Sequence, residues 1–176
     1  AIGIVGTSWW AEGMYLPLLK DNPQAHLAAI CGRNRAHAEE VAARGQVSQV
    51  FTDYAAMIAQ GGLDGLIVAT PNDTHYPITM KALEAGLHVL VEKPVAMSYT
   101  EAKAMLDLAS RKGVCTFVPF TWSFTPAIRM LKDLIGSGYI GKPYHCNLRY
   151  IASYGRGMDY MWRLDTALAG SGVMGD

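Results

Sequence analysis

Six short apolar runs, each followed by a turn and most by a helix-forming stretch, make up the first two thirds of this chain. Few folds accommodate that rhythm. The runs are Ile2 to Val5, Leu27 to Cys31, Val50-Phe51, Leu63 to Ala69, His88 to Val91 and Val114 to Val118. Between them lie an apolar-periodic segment ending at Lys20, then Arg35 to Arg44, closed by Gly45, Tyr54 to Ala59, Thr74 to Ala85 and Thr100 to Lys112. Short β-rich runs alternating with helices through brief connections predict an α/β fold, a doubly wound parallel sheet. Right-handed crossovers then bring the carboxyl ends of all the strands to one edge.

After Pro119 the rhythm changes. Pro126 opens a helix predicted to run to about Ile135, and Gly136-Ser137-Gly138 ends it. Tyr144 to Ile151 then alternates polar and apolar residues with period two, which predicts a two-faced strand of an antiparallel sheet. The expected organisation is a nucleotide-binding domain over 1–119 and the beginning of a second α/β domain over 120–176. The chain stops at Asp176 within what reads as structure, so a longer parent protein is expected.

Composition narrows the function classes. The 176 residues are 51% hydrophobic and 17% charged, as in an ordinary globular protein. Fifteen basic residues balance fifteen acidic ones, so nothing in the charge points to nucleic acid or an anionic membrane. No apolar run reaches the roughly 20 residues that span a bilayer. Cys31, Cys115 and Cys146 match neither a disulfide framework nor zinc spacing, and no histidine pair has metal-ligand spacing. Buried free thiols, no metal site and a reducing cytoplasmic location are expected.

Gly6-Thr7-Ser8-Trp9-Trp10-Ala11 follows the first strand and opens a helix, the context of a dinucleotide phosphate loop. Gly6 suits the tight turn, Ala11 is small enough for helix–strand packing, and Ser8 replaces the glycine that usually lets the backbone approach the pyrophosphate. The helix amino end offers N–H groups and partial positive charge to the phosphates. An ordinary strand-to-helix turn is the other reading. At the end of the second strand, where a carboxylate would bind the ribose 2′-hydroxyl of NAD, the chain has Arg33-Asn34-Arg35. Two guanidiniums without a carboxylate favour a 2′-phosphate, so NADP is preferred and NAD remains possible. Otherwise the two arginines are solvated residues at a helix start.

Glu92-Lys93-Pro94 ends the fifth strand, on the edge where open α/β sheets bind ligands. The proline holds Lys93 towards an extended conformation on a stiff turn. A decorative surface lysine would look the same in isolation. Trp9, Trp10, Tyr15, Trp122 and Phe124 could stack on a sugar or nicotinamide, or pack in a core.

Taken together, the Gly6 turn, Ala69-Thr70-Pro71-Asn72-Asp73-Thr74-His75, Glu92-Lys93-Pro94, Trp162-Arg163-Leu164-Asp165 and Gly170-Ser171-Gly172-Val173-Met174-Gly175-Asp176 resemble the glucose-fructose oxidoreductase / inositol dehydrogenase (Gfo/Idh/MocA) family. The resemblance runs along essentially the whole chain. It implies a Rossmann domain followed by a domain with a large antiparallel sheet, a homo-oligomer, and NAD(P)-dependent hydride transfer on a sugar, polyol or related secondary alcohol. It implies that Lys93 contacts the reacting hydroxyl, with Glu92 and an often cis Pro94 on the nicotinamide side. Thr70, Pro71, Asn72 and His75 would lie along the cofactor, and Arg163 near substrate or nicotinamide. Asp176 falls on a catalytic aspartate that the family follows with a histidine four residues on. Two other functions stay open: NAD-assisted glycoside cleavage, and non-catalytic cofactor sensing.

Overall fold

The computed structural model describes residues 1–151 and 165–170. Six strands, β1 (Ile2–Val5), β2 (Leu27–Cys31), β3 (Gln49–Phe51), β4 (Gly65–Val68), β5 (His88–Val91) and β6 (Thr116–Phe117), form one sheet in the order β3-β2-β1-β4-β5-β6. Every pairing is parallel. The strand order reverses between β1 and β4, which creates the switch point at which such sheets bind ligands. The helices are α1 (Leu16–Lys20), α2 (Arg35–Gly45), α3 (Tyr54–Gln60), α4 (His75–Glu84), α5 (Tyr99–Lys112), α6 (Pro126–Gly136) and α7 (Thr166–Ala169).

Alternation of side chains along the central strands builds two cores, one on each face of the sheet. Val5, Leu66 and Val68 join the core that holds Met57 of α3, Ile78, Ala82 and Leu83 of α4, and Met105 of α5. Ile4, Ile67 and Ala69 join the other, with Leu16 of α1 and Val41 and Ala42 of α2. Both faces of β1 and β4 are therefore covered, which is why these strands read as unbroken apolar runs.

Helix starts follow the sequence closely because side-chain oxygens cap them. Asn34 accepts from His37 N–H, Asp53 from Ala55 N–H and Ser98 from Glu101 N–H. Three details differ from the sequence reading. The first helix begins as a π-turn over Ala11–Tyr15, in which Leu16 N–H donates to Ala11 O. Pro17 has no N–H to offer one turn back, and the wider turn takes up that defect. The left-handed cap of α2 falls on Gln46 (φ 57°), whereas Gly45 stays helical; glycine serves there for space, since a Cβ would lie 2.9 Å from Leu16 Cδ2. Residues 144–151 form no strand. A strand needs hydrogen-bonding neighbours, and among the described residues this segment has none; Tyr144, Leu148 and Ile151 are exposed.

The chain folds as two compact units. One comprises residues 1–119 together with α7; the other begins at Phe120 and contains α6. Sequence alone assigns 166–169 to the second domain, but Asn72 Nδ2 donates a buried hydrogen bond to Ala169 O, 2.9 Å, and this fixes α7 to the first unit. Cys31 is buried as expected, and burial, helped by the Asp53 charge, pushes its thiol up to about 11. Cys115 and Cys146 are exposed, contrary to expectation, because each lies in irregular chain rather than in a covered element.

Candidate functional site

The carboxyl ends of β1, β2, β4 and β5 carry the candidate residues on one edge of the sheet. After β1, Gly6 turns the chain at φ 116° and its N–H donates to Cys31 O. A Cβ on Gly6 would sit 2.1 Å from the carbonyl oxygen of Ala69, so the loop fits closely against the end of β4. Ser8 Oγ accepts from Ala11 N–H at 3.3 Å, so the serine that replaces a glycine also caps the helix. Trp9 is exposed, and its ring meets that of Trp10 edge-on at 5.4 Å.

At the end of β2, Arg33, Asn34 and Arg35 are all exposed. Asn34 spends its side-chain oxygen on the α2 cap. Arg35 Nε donates to Glu39 Oε1 at 2.9 Å, one helical turn on. Such an exposed pair contributes only about 0.3–0.5 kcal/mol and breaks readily for a stronger anion. His37 escapes sequence reasoning: its Nε2 donates to the carbonyl of Thr7 at 2.9 Å and ties α2 to the loop after β1. Its place three residues past the Asn34 cap is the only local signal.

Beyond β4, Thr70 and Pro71 lead into a 3₁₀ turn over Asn72–Thr74. His75, expected along the cofactor by resemblance, stands beneath this loop with no exposed surface. Its ring bridges two carbonyls, Nδ1 2.8 Å from Pro94 O and Nε2 2.9 Å from Thr70 O. It acts as a brace between two loops, and its ring has no surface to offer a nucleotide. Replacing His75 by alanine removes the ring N–H from one of the two carbonyls, about 1–3 kcal/mol for a buried group, and leaves a cavity where the ring packed. A loss of about 2–3 kcal/mol in denaturant unfolding is expected; an unchanged midpoint would reject the brace.

Beyond β5, Glu92 is 8% exposed and Lys93 half-buried, and the Lys93–Pro94 peptide is cis. Glu92 Oε1 accepts from Trp10 Nε1 at 2.6 Å and from Tyr15 Oη at 2.5 Å, while Oε2 accepts from the Lys93 N–H at 3.2 Å. Burial first, then the hydrogen bond to Glu92 and its charge, push the Tyr15 hydroxyl far above the usual phenol range. The partners lie 82 and 77 residues from Glu92, so no sequence spacing announces the contact. Trp10 and Tyr15 thus find their use against a carboxylate, whereas Trp122 and Phe124 are exposed. Arg163 and Asp176, predicted for substrate and catalysis, lie outside the described residues. Among the described residues no group of three or more His, Cys, Asp or Glu side chains could hold a metal ion, and no helix is long and apolar enough to cross a membrane.

Residues 1–120 match the model of the Gfo/Idh/MocA group, described as an oxidoreductase family with an NAD-binding Rossmann fold. The chain belongs to this family. It is 33% identical over 141 residues to a levoglucosan dehydrogenase of Pseudarthrobacter phenanthrenivorans, an alignment covering 79% of this chain and 36% of that protein. A D-xylose 1-dehydrogenase [NADP(+)] of Haloarcula marismortui is 27% identical over 173 residues, covering 95% and 48%. The crystal structure of an NAD binding oxidoreductase from Klebsiella pneumoniae superposes with a TM-score of 0.80 at 30% identity, covering 99% of this chain and 49% of that one. The chain spans half the length of these relatives or less. The family's NAD-binding Rossmann fold, matched over residues 1–120, is a fold for a nicotinamide dinucleotide. The geometry fits that ligand: a glycine-only turn packed on β4 precedes a helix start, on the edge that carries Lys93.

Proposed function

We propose that the full-length protein oxidises or reduces a secondary alcohol of a sugar or polyol, with NADP as the preferred cofactor. The observation that carries this reading is the Lys93 turn. It ends β5 on the same edge as the Gly6 loop, and Glu92 links the two by hydrogen bonds. A bound nicotinamide dinucleotide supplies hydride transfer. The Gly6 turn and the helix start behind it receive the pyrophosphate. Lys93, as a cation, donates to the reacting hydroxyl and stabilises the alkoxide as it forms. The histidine that the family places four residues beyond Asp176 would take the hydroxyl proton, with Asp176 orienting it.

Net formation of NADPH from NADP and a panel of free sugars and polyols tests the reaction. Binding without turnover across the panel would instead support a sensor, and product without net reduction a cofactor-assisted lyase. The preference for NADP rests on Arg33 and Arg35 in place of a carboxylate; of the two, Arg33 is exposed and, among the described residues, forms no ion pair, whereas Arg35 pairs with Glu39. Replacing Arg33 by alanine should weaken NADPH binding by about 10–100-fold, as expected for a lost charge-assisted hydrogen bond, with NADH binding little changed. Equal effects on both cofactors in fluorescence titration would remove the basis for the preference.

A further inference from the structure

Glu92 is a carboxylate buried next to the residue proposed to meet substrate, and a buried carboxylate is costly unless its lone pairs are well used. Here they are used by the opposite side of the site. Oε1 receives hydrogen bonds from Trp10 and Tyr15, on the first turns of the phosphate-loop helix, and Oε2 receives the backbone N–H of Lys93. The π-turn over Ala11–Tyr15 starts just after one aromatic donor, Trp10, and ends on the other, Tyr15, and both donate to the same oxygen. On the far side, His75 bridges Pro94 O to Thr70 O, so the Lys93 turn is held from both directions.

We propose that Glu92 is a positioning residue rather than a cofactor ligand: it locks the Lys93 turn to the helix that carries the phosphate loop, so that the ammonium keeps a fixed place relative to bound dinucleotide. The inference rests on the role proposed for Lys93. A loosened turn displaces the ammonium without removing it, and displacements of about 1 Å can cost up to 10²-fold in rate. Cofactor affinity, which depends mainly on the Gly6 loop and the end of β2, is little affected. Tyr15 is the gentlest point of attack, since Tyr15→Phe removes a single oxygen atom and keeps the ring in the core.

A double-mutant cycle in the full-length protein tests this, with Tyr15→Phe and Glu92→Gln each made in the parent and in a Lys93→Ala background. Single-turnover NADPH formation, NADPH titration and thermal unfolding are read for each. In the parent, either change should lower the rate about tenfold and leave the NADPH dissociation constant within about threefold. In the Lys93→Ala background the same change should lower the rate less than about twofold, because there is no ammonium left to misplace. A tenfold fall in both backgrounds would assign Glu92 a general structural role and overturn the proposal, as would no fall in the parent. If Lys93→Ala alone leaves the rate intact, it is the reading of Lys93 that fails, and that arm shows it separately. Should Glu92→Gln fail to fold, Tyr15→Phe and Trp10→Phe carry the same cycle.

Discussion

Replacing Lys93 by alanine should lower turnover of the full-length protein by about 10²–10⁴-fold, the usual range for a group that manages a proton or its charge in the transition state. Cofactor binding should hardly change, because the residues proposed to bind phosphate and ribose lie after β1 and β2, whereas Lys93 follows β5. The decrease should appear in kcat as well as in kcat/KM, as expected for an interaction made mainly in the transition state. Lys93→Arg is the informative control. It keeps the positive charge but replaces a compact ammonium by a larger planar fork, so it should restore only a small part of the rate. Steady-state kinetics with NADP and a responsive sugar or polyol, beside NADPH titration, reads both quantities. Unchanged turnover in Lys93→Ala would end the assignment.

The elements that sequence located well are those whose signals are local. Caps at Asn34, Asp53 and Ser98 mark helix starts within a residue, because one side-chain oxygen and one backbone N–H decide them. The central strands are legible because both of their faces are buried, which leaves an apolar run bounded by turns. The candidate site is legible in part for a similar reason. The Gly6 turn and Glu92-Lys93-Pro94 are short segments whose proposed function depends on backbone shape and on their place at a strand end. What stays hidden is long-range. Trp10 and Tyr15 read equally well as stacking or core aromatics, and only the folded chain brings them to Glu92. His75 sits in a loop motif that suggests ligand contact, yet its burial turns it into a brace. The alternation over residues 144–151 is real as a pattern, but a period of two states which faces a strand would have and cannot supply its neighbour.

Gly6→Ala should be the most damaging glycine-to-alanine change among the described residues, by roughly 4 kcal/mol or more, the range reached by overpacking joined to backbone strain. Two costs coincide there. The backbone sits at φ 116°, which L side chains rarely adopt, and holding a non-glycine residue in such a region costs about 1–3 kcal/mol. The new Cβ would also stand 2.1 Å from Ala69 O and 2.7 Å from Ala69 C, both backbone atoms. Neither side can retreat easily. Gly6 N–H donates to Cys31 O at 2.9 Å, and Ala69 N–H donates to Val5 O at 2.8 Å, so relief of the collision breaks the ladder between β1 and its neighbours. The Gly6 loop, proposed to receive the pyrophosphate, must then leave the end of β4, and NADPH binding should fall by about 10²-fold or more even in the fraction that remains folded. Ser8→Gly, one turn of chain away, provides the contrast. It removes a single 3.3 Å cap from the helix start, and a glycine cap costs only a few tenths of a kcal/mol. Thermal unfolding should separate the two variants by roughly ten degrees, and a Gly6→Ala protein with parental unfolding temperature and NADPH affinity would show that the turn relaxes around the methyl group.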